Sequence, residues 1–242
     1  MPRTGLCLIP LNPSAVSPSA KLVAHLSRRY PAEEHHAYHL EHRLFSDTSS
    51  QLPGSDVKLR SFTHVLTLSH NPQSTFVCTT KAGNPADTSL ITIPVTSTDA
   101  FTTLIVSKFQ PLWYLRQAVV VENGISVSVR DDEWKVCIGD VKIAPKSPGA
   151  GTLRGLIIEL CHTVDEPEGS TSQDTAEEDQ AMFQDVLDEL FKGTGESFND
   201  AKIIITRTSN RVGATDEVGT KSTPDWDLAK LYMNVLRGQG PR

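Results

Sequence analysis

Histidines are the first residues in this chain whose type and spacing could do chemistry. His35, His36, His39 and His42 fall together in the segment HHAYHLEH. On a helix three of them would converge at i, i+4 and i+7, whereas on a strand they divide between two faces. Neither arrangement supplies a carboxylate or thiolate at the usual ligand spacing. We therefore expect a solvated polar segment here, and the sequence predicts no metal and no other cofactor.

The chain also lacks the usual settings for a catalytic nucleophile. There is no G-x-S-x-G elbow, and Ser69-His70 falls at the end of a predicted hairpin. His64 and His70 have no adjacent orienting acid, so we expect structural roles for both. The glycines at 149 and 151 lack the strand-to-helix context of a phosphate-binding loop. The sequence therefore predicts no catalytic residue and no enzyme.

A β-tunnel, metal-dependent phosphohydrolase is the alternative hypothesis that a strand-rich chain leaves open. Such enzymes hold metal with alternating carboxylates on inward-facing strand positions. The Glu-x-Glu of this chain, Glu166-Pro167-Glu168, lies in an acidic loop rather than on a strand. The strands between 117 and 160 carry only scattered charges: Glu122, Lys135, Asp140 and Lys142.

Composition narrows the class of protein further. The 242 residues are 38% hydrophobic and 21% charged, which suits one large β-rich domain or two small ones. A net charge of −6 argues against nucleic acid as a direct partner. No apolar run approaches the length of a bilayer, and the N-terminal LCLI is too short for a signal peptide, so no membrane is expected. The four cysteines each stand alone in an apolar run, which predicts buried free thiols in a reducing compartment.

Strands dominate the elements that would position any site. The stretch from 117 to 160 reads as four strands separated by Asn123-Gly124, by 131–133 and by 148–151. Asn-Gly between β-branched runs predicts a type I′ hairpin turn, which needs positive φ at both central residues. The predicted order is β-α-β-β-β-β-α-β-β-β-β-α-β-α. We therefore expect an α+β fold in a single domain, 1–242, with an antiparallel β-barrel or meander of about eight to ten strands flanked by three to four helices.

Helices are predicted where the apolar period changes from two to 3.6 residues. The first covers 18–30, and the second begins at Thr98 with Phe101, Leu104, Ile105 and Phe109 as its apolar stripe. Residues 163–181 carry seven carboxylates and no lysine or arginine. We expect 163–178 to be a disordered acidic insertion, with Thr175 and Glu178 as the capping box of the helix that follows. A last helix is predicted after Thr223-Pro224.

Some predicted strands are apolar on both faces. The runs at 118–121, 156–158 and 203–205 do not alternate, so both faces need cover from helices or from a partner protein. Aromatic residues before the first run and β-branched residues within it are the candidates for a protein interface. These are Trp113, Tyr114, Val119 and Val121.

Several segments together are similar to one known family. These are MPRTGLCLIPLNP at the N-terminus, HVLTLSHNPQSTFV (64–77), LWYLRQ (112–117), WKVCIGDVKIAP and TLRGLIIEL within 134–160, and DLAKLYMNVLRG near the end. They resemble subunit 20 of the Mediator complex, fungal type. The resemblance covers nearly the whole chain, except for the histidine-rich segment, residues 46–56 and the acidic insertion.

The resemblance implies a fold, a role and partners. The family fold is an antiparallel β-barrel flanked by helices, and the family is not enzymatic. The resemblance implies a place in the Mediator head module, direct pairing with subunit 18, and tethering through the C-terminal region of subunit 8. It further implies contact with other head-module subunits and, through the complex, with RNA polymerase II and the TATA-binding protein in the nucleus. A generic β-barrel interaction module is the remaining alternative.

Overall fold

The computed structural model describes residues 3–12, 16–30, 35–48, 60–82, 84–110, 112–144, 151–163, 174–194, 203–207 and 225–237. Within them the strands are β1 (Arg3–Pro10), β2 (His35–Asp47), β3 (Ser61–Leu68), β4 (Ser74–Lys81), β5 (Asn84–Pro94), β6 (Trp113–Val129), β7 (Trp134–Ile143), β8 (Thr152–His162) and β9 (Ile203–Arg207). The helices are α1 (Ser19–Arg29), α2 (Thr98–Lys108), α3 (Asp174–Phe191) and α4 (Trp226–Arg237).

All nine described strands join one antiparallel sheet. Their order is β5-β4-β3-β2-β6-β7-β8-β1-β9, so the N-terminal strand inserts between two late strands. The α+β class, the antiparallel meander and the numbers of strands and helices are confirmed. Among the described strands, β5 and β9 end the order without pairing to each other, so the pairing shown is that of a meander rather than a closed barrel.

The hairpin predicted at Asn123-Gly124 is wrong. Strand β6 continues through these residues and pairs with β2 on one side and β7 on the other. A register shift between Glu122 and Ile125 marks a β-bulge, which absorbs extra residues without ending the strand. The chain turns later, where Arg130, Asp131 and Asp132 have φ of 54°, 54° and 65°. The meander therefore has one strand fewer than predicted.

Gly124 is needed at the bulge for space rather than for backbone conformation. Its φ is not positive. A Cβ atom there would lie 2.7 Å from Cδ1 of Tyr38 and 2.8 Å from the Tyr38 carbonyl oxygen. The backbone of β2 and a large buried ring therefore pass too close for any side chain.

We expect Gly124→Ala to lower the free energy of unfolding by about 1–3 kcal/mol, the usual cost of overpacking a core. The added methyl group meets backbone atoms, which cannot move aside as a flexible side chain could. Urea denaturation measures the change. Ser128→Ala, at a half-buried position of the same strand, is the matched control. A Gly124→Ala protein as stable as the parent would contradict this account of the bulge.

The chain's own helices cover both faces of β8 and β9, whereas the outer side chains of the run 118–121, Ala118 and Val120, are half-buried and belong to neither cluster. The inner face of the sheet packs on α4, whose buried residues include Leu228, Tyr232 and Leu236. The outer face of β7, β8 and β1 packs on α1 and α3. Neighbouring residues of β8 divide accordingly, with Ile157 in the inner cluster and Leu156 and Ile158 in the outer one. Each fully buried aliphatic side chain contributes about 1.5–3 kcal/mol.

Helix α2 lies on the outer face at the other end of the sheet. Ile105 packs there with Phe45 and Val65, and Phe101 and Trp113 adjoin this small cluster. The helix begins at Thr98 as predicted. Strand β5 ends at Pro94, which cannot donate to a strand ladder, and β5 is the outermost strand of the described order.

Helices α3 and α4 begin within a few residues of their predicted starts. Helix α3 begins at Asp174, so the end of the predicted acidic insertion is helical, while 164–173 lie outside the described residues. Thr223-Pro224 also lie outside them. The cap of α4 is Asp225, whose Oδ1 accepts a hydrogen bond from the Leu228 N–H at 2.9 Å.

All four cysteines are buried and free, as predicted. No helix within the described ranges is both long and apolar enough to cross a membrane.

Candidate functional site

A buried carboxylate forms the centre of a polar cluster on the inner face. Glu159 lies in the apolar strand β8, and its side chain is fully buried. Its Oε2 is 2.9 Å from Nε2 of His70, in the turn between β3 and β4, and it accepts a hydrogen bond from the Tyr232 hydroxyl. The Tyr38 hydroxyl lies 2.9 Å from that of Tyr232. The cluster thus joins α4 to three parts of the sheet.

The same cluster contains the one group of possible metal ligands found among the described residues. Ligand atoms of His70, Cys137 and Glu159 all lie within 4.8 Å of one another. These are ligand types that zinc accepts. Two of the atoms are already engaged with each other, however, and the Cys137 thiol donates to the Ser126 hydroxyl at 3.3 Å. As it stands, the arrangement stabilises a buried carboxylate by hydrogen bonding.

Burial also sets the ionisation of the tyrosine in this cluster. It raises the pKa of Tyr232 well above its ordinary value, and the negative charge of Glu159 raises it further. The hydroxyl therefore stays protonated and acts as the donor to the carboxylate. We interpret the cluster as a structural anchor for α4, because a neutral phenol locked in this way is a poor base or nucleophile at neutral pH.

Two histidines of the inner face form a second buried pair. Nε2 of His42 lies 3.0 Å from Nδ1 of His64, and the two rings stack. Burial lowers the pKa of His42 well below its ordinary value, and His64 adds to the effect. Burial and then the charge of Arg237 lower the pKa of His64 to about 4. Both imidazoles are therefore neutral at pH 7.

The pair corrects one prediction about the histidine-rich segment. His36 and His39 are exposed, as expected of a solvated segment, but His42 is fully buried. The strand interpretation is the correct one, because the segment forms β2. Alternation along β2 turns Leu40, His42 and Leu44 towards the interior.

The four candidate interface residues fall into two groups. Trp113 and Tyr114 are half-buried at the start of β6. Val119 and Val121 are fully buried in the inner cluster that contains α4. Contacts within the chain account for the burial of the two valines, so a partner is not needed to cover them. The aromatic pair stays at a surface that a partner could reach.

Five exposed apolar residues lie on α2 and at the entry to β6, close in sequence to this aromatic pair. Leu104, Val106 and Phe109 project from α2 and its end, and Leu112 and Leu115 follow at the start of β6, each between 43 and 58% exposed. We call these five residues the α2 patch. Sequence periodicity placed Leu104 and Phe109 in a buried stripe, but of the predicted stripe only Ile105 is buried. The sequence did contain a signal for this exposure. Leu104, Ile105 and Val106 are consecutive apolar residues on one short helix, so they cannot all face the sheet.

The comparison with family models decides the identity of the chain. Residues 1–237 match the family of the TATA-binding related factor (TRF) of subunit 20 of Mediator complex. The chain belongs to this family. It is therefore a subunit of Mediator, and its setting is transcription regulation. No curated protein matches it closely enough in sequence to be compared.

Several solved structures are distantly similar to this Mediator subunit. The PH1819 protein from Pyrococcus horikoshii OT3 is 12% identical, with a TM-score of 0.39 over 77% of this chain and 89% of its own. A putative adenylyl cyclase, HpAC1 from Hippeastrum, with a dominant triphosphatase activity is 12% identical, with a TM-score of 0.37 over 78% and 88%. The inorganic triphosphatase NE1496 is 12% identical, with a TM-score of 0.30 over 72% and 79%. Likenesses this distant do not bear on activity.

Proposed function

We propose that the chain is a non-enzymatic structural subunit of the Mediator head module that pairs directly with subunit 18. Family membership over residues 1–237 carries the proposal. In it the C-terminal region of subunit 8 tethers the pair, and the complex acts as a coactivator bridge to RNA polymerase II and the TATA-binding protein. The chain works in the nucleus, which it enters as part of the complex.

The α2 patch supports pairing with another subunit. Its five exposed apolar residues and the half-buried Trp113 and Tyr114 all fall between 104 and 115, and interface cores are enriched in such aromatic residues and depleted of charge. In the described part of the chain, the inner face of the sheet is covered by α4, and the outer face of β1, β7 and β8 is covered by α1 and α3. We therefore propose that subunit 18 contacts the α2 patch together with Trp113 and Tyr114.

Co-expression with subunit 18 tests this proposal. The two chains are expected to co-elute in size-exclusion chromatography, and the double change Leu112→Glu and Leu115→Glu is expected to separate them, because it puts two charges where apolar area should be buried. Both side chains are largely exposed in the chain alone, so the variant should fold. The control is the paired change Lys21→Glu and Glu177→Lys, at exposed sites on α1 and α3.

Two outcomes would contradict the pairing proposal. Chains that elute separately when co-expressed would exclude a stable pair with subunit 18. A pair that still forms after Leu112 and Leu115 are changed would show that the contact does not lie at the α2 patch. Nuclear accumulation of the chain in cells without subunit 18 would argue against import as part of the complex.

The phosphohydrolase hypothesis keeps a test of its own. Glu122 and Asp140 lie opposite each other on β6 and β7, one position along from Val121 and Val141, whose side chains are on the inner face. Alternation therefore puts both carboxylates outside the sheet rather than in a metal-binding interior. Metal-dependent release of phosphate from triphosphate by the purified chain, lost on changing Lys135, Asp140 or Lys142, would revive the hypothesis.

A further inference from the structure

Strand β6 has a further β-bulge, at Arg116. Phe45 of β2 is opposite Leu115, but the preceding residue of β2 is opposite Gln117. Arg116 is therefore an extra residue on the β6 side of this pair of strands. Bulges of this kind re-aim side chains, and they are frequent next to functional sites.

The bulge directs Arg116 to the inner face, where its side chain meets the end of α4. The Arg116 guanidinium lies over the ring of Phe62 in β3, 5.6 Å from the ring centre. The guanidinium of Arg237, the last residue of α4, lies over the same ring at 4.8 Å. Phe62 is two positions from His64 on β3, so the two side chains share the inner face. Two cations are thus held against one aromatic ring.

Neither of these two arginines has a carboxylate partner within the part of the chain that the structure describes. Contact with the ring and the C-terminal end of α4 both favour a cation at Arg237. They give no reason for a second cation, Arg116, at the same ring, because like charges repel each other. Other described arginines do pair with carboxylates: Arg3, Arg29, Arg43 and Arg130.

A ligand can reach this pair of arginines. Both side chains are half-buried, so they are neither sealed in the core nor fully solvated. A cavity of about 430 Å³ opens beside Arg237, which lines it together with His64, Lys230 and Asn234. None of the described lining residues carries a carboxylate. The charge of Arg237 adds to burial in lowering the pKa of His64, so its field extends into the cavity.

We propose that Arg116 and Arg237 together bind the phosphate group of a phosphorylated serine in a partner protein. Guanidinium groups match phosphate oxygens with paired hydrogen bonds, and clusters of arginine commonly recognise phosphorylated side chains. A phosphate group carries close to two negative charges at pH 7, which balances two arginines. Membership of a complex of many subunits makes a protein side chain the favoured source of the phosphate. The proposal does not depend on which subunit contacts the α2 patch.

Fluorescence anisotropy with a labelled Gly-Ala-Ser-Ala-Gly peptide, phosphorylated at its serine, tests the site. The full chain is expected to bind this peptide and to bind the unphosphorylated one at least about tenfold more weakly. Arg116→Gln and Arg237→Gln should each weaken binding of the phosphopeptide about tenfold, the loss expected for one charge-assisted contact. Arg28→Gln removes the same charge from an exposed position of α1 and should leave binding unchanged.

Two further measurements distinguish binding from packing. Arg116→Lys and Arg237→Lys keep the charge but lose the paired hydrogen bonds, so each should bind with an affinity between those of the parent and of the glutamine variant. The phosphopeptide should raise the midpoint of thermal unfolding of the parent and of Arg28→Gln but not that of Arg116→Gln. A role for Arg116 in packing alone would not produce this difference.

Three results would overturn the proposal. The first is equal binding of the phosphorylated and unphosphorylated peptides, and the second is an equal loss of binding in Arg28→Gln. The third is inorganic phosphate that binds as tightly as the phosphopeptide and displaces it, which would assign the site to free phosphate instead of a protein side chain.

Discussion

Trp134→Ala is expected to lower the free energy of unfolding by about 3–5 kcal/mol, the range for removing a large buried aromatic side chain. Trp134 begins β7 and is 1% exposed in the outer cluster. Its ring meets that of Phe183 on α3 edge to face at 5.0 Å and that of His162 at 4.7 Å. The change would leave a cavity where α3 joins the sheet.

Chemical denaturation followed by circular dichroism measures this effect. Trp226→Ala is the matched control, because Trp226 is 36% exposed at the start of α4 and, among the described residues, its ring meets only that of Phe76. Its loss should cost clearly less. Since folded domains are stable by only about 5–15 kcal/mol, the Trp134 variant should lose a large share of its margin. Equal losses for the two variants would contradict the packing described for α3.

Acidification from pH 6.5 to pH 4.5 is expected to destabilise the fold through His42 and His64. Both have a folded pKa below the ordinary value, so in this range the unfolded chain binds more protons than the folded one. Their contribution to stability is present above pH 6.5 and is lost as the pH falls towards about 4. At up to about 1.4 kcal/mol per pH unit for each group, the pair would account for a loss of at most about 5 kcal/mol over these two pH units.

Urea titrations at several pH values measure this slope. The double change His42→Leu and His64→Leu should flatten it, whatever the stability of the variant at pH 7. His39→Gln, at an exposed site of the same strand, controls for the loss of an imidazole. A proton added to either imidazole would place a positive charge in the interior, away from water. Nδ1 of His42 has no hydrogen-bond partner among the described residues that could stabilise that charge. An unchanged slope in the double variant would assign the acid sensitivity to carboxylates instead.

Much of the fold can be predicted from the apolar patterns of the sequence. Apolar, β-branched runs located β7 and β8 to within a few residues, and the change of period located all four helices. The prediction at Asn123-Gly124 is wrong because it depends only on the preference of Asn-Gly for a hairpin turn. Both neighbouring strands pair across that point, and the close passage of Tyr38 supplies another reason for glycine. Such a reason depends on partners distant in sequence.

The polar groups inside the sheet were harder to foresee than the sheet itself. Glu159 was visible as a lone acid in the apolar run LIIELCH, but its partners His70 and Tyr232 come from other elements. His42 was assigned to a solvated segment because its neighbours are polar. Tertiary position decides the burial of such residues, and a single sequence does not contain that information. The resemblance to the family, in contrast, supplied an identity that local chemistry could not.

The position of α4 at the end of the described chain has a consequence for how the protein is made. On the ribosome, every strand of the sheet emerges before the residues that cover its inner face, and β1 waits for β8 and β9 before it can pair. Such non-local pairing is slow, and the uncovered apolar strands would meanwhile be prone to aggregate. Nascent chains halted before residue 226 should therefore be retained by chaperones, and release should coincide with synthesis of the last helix.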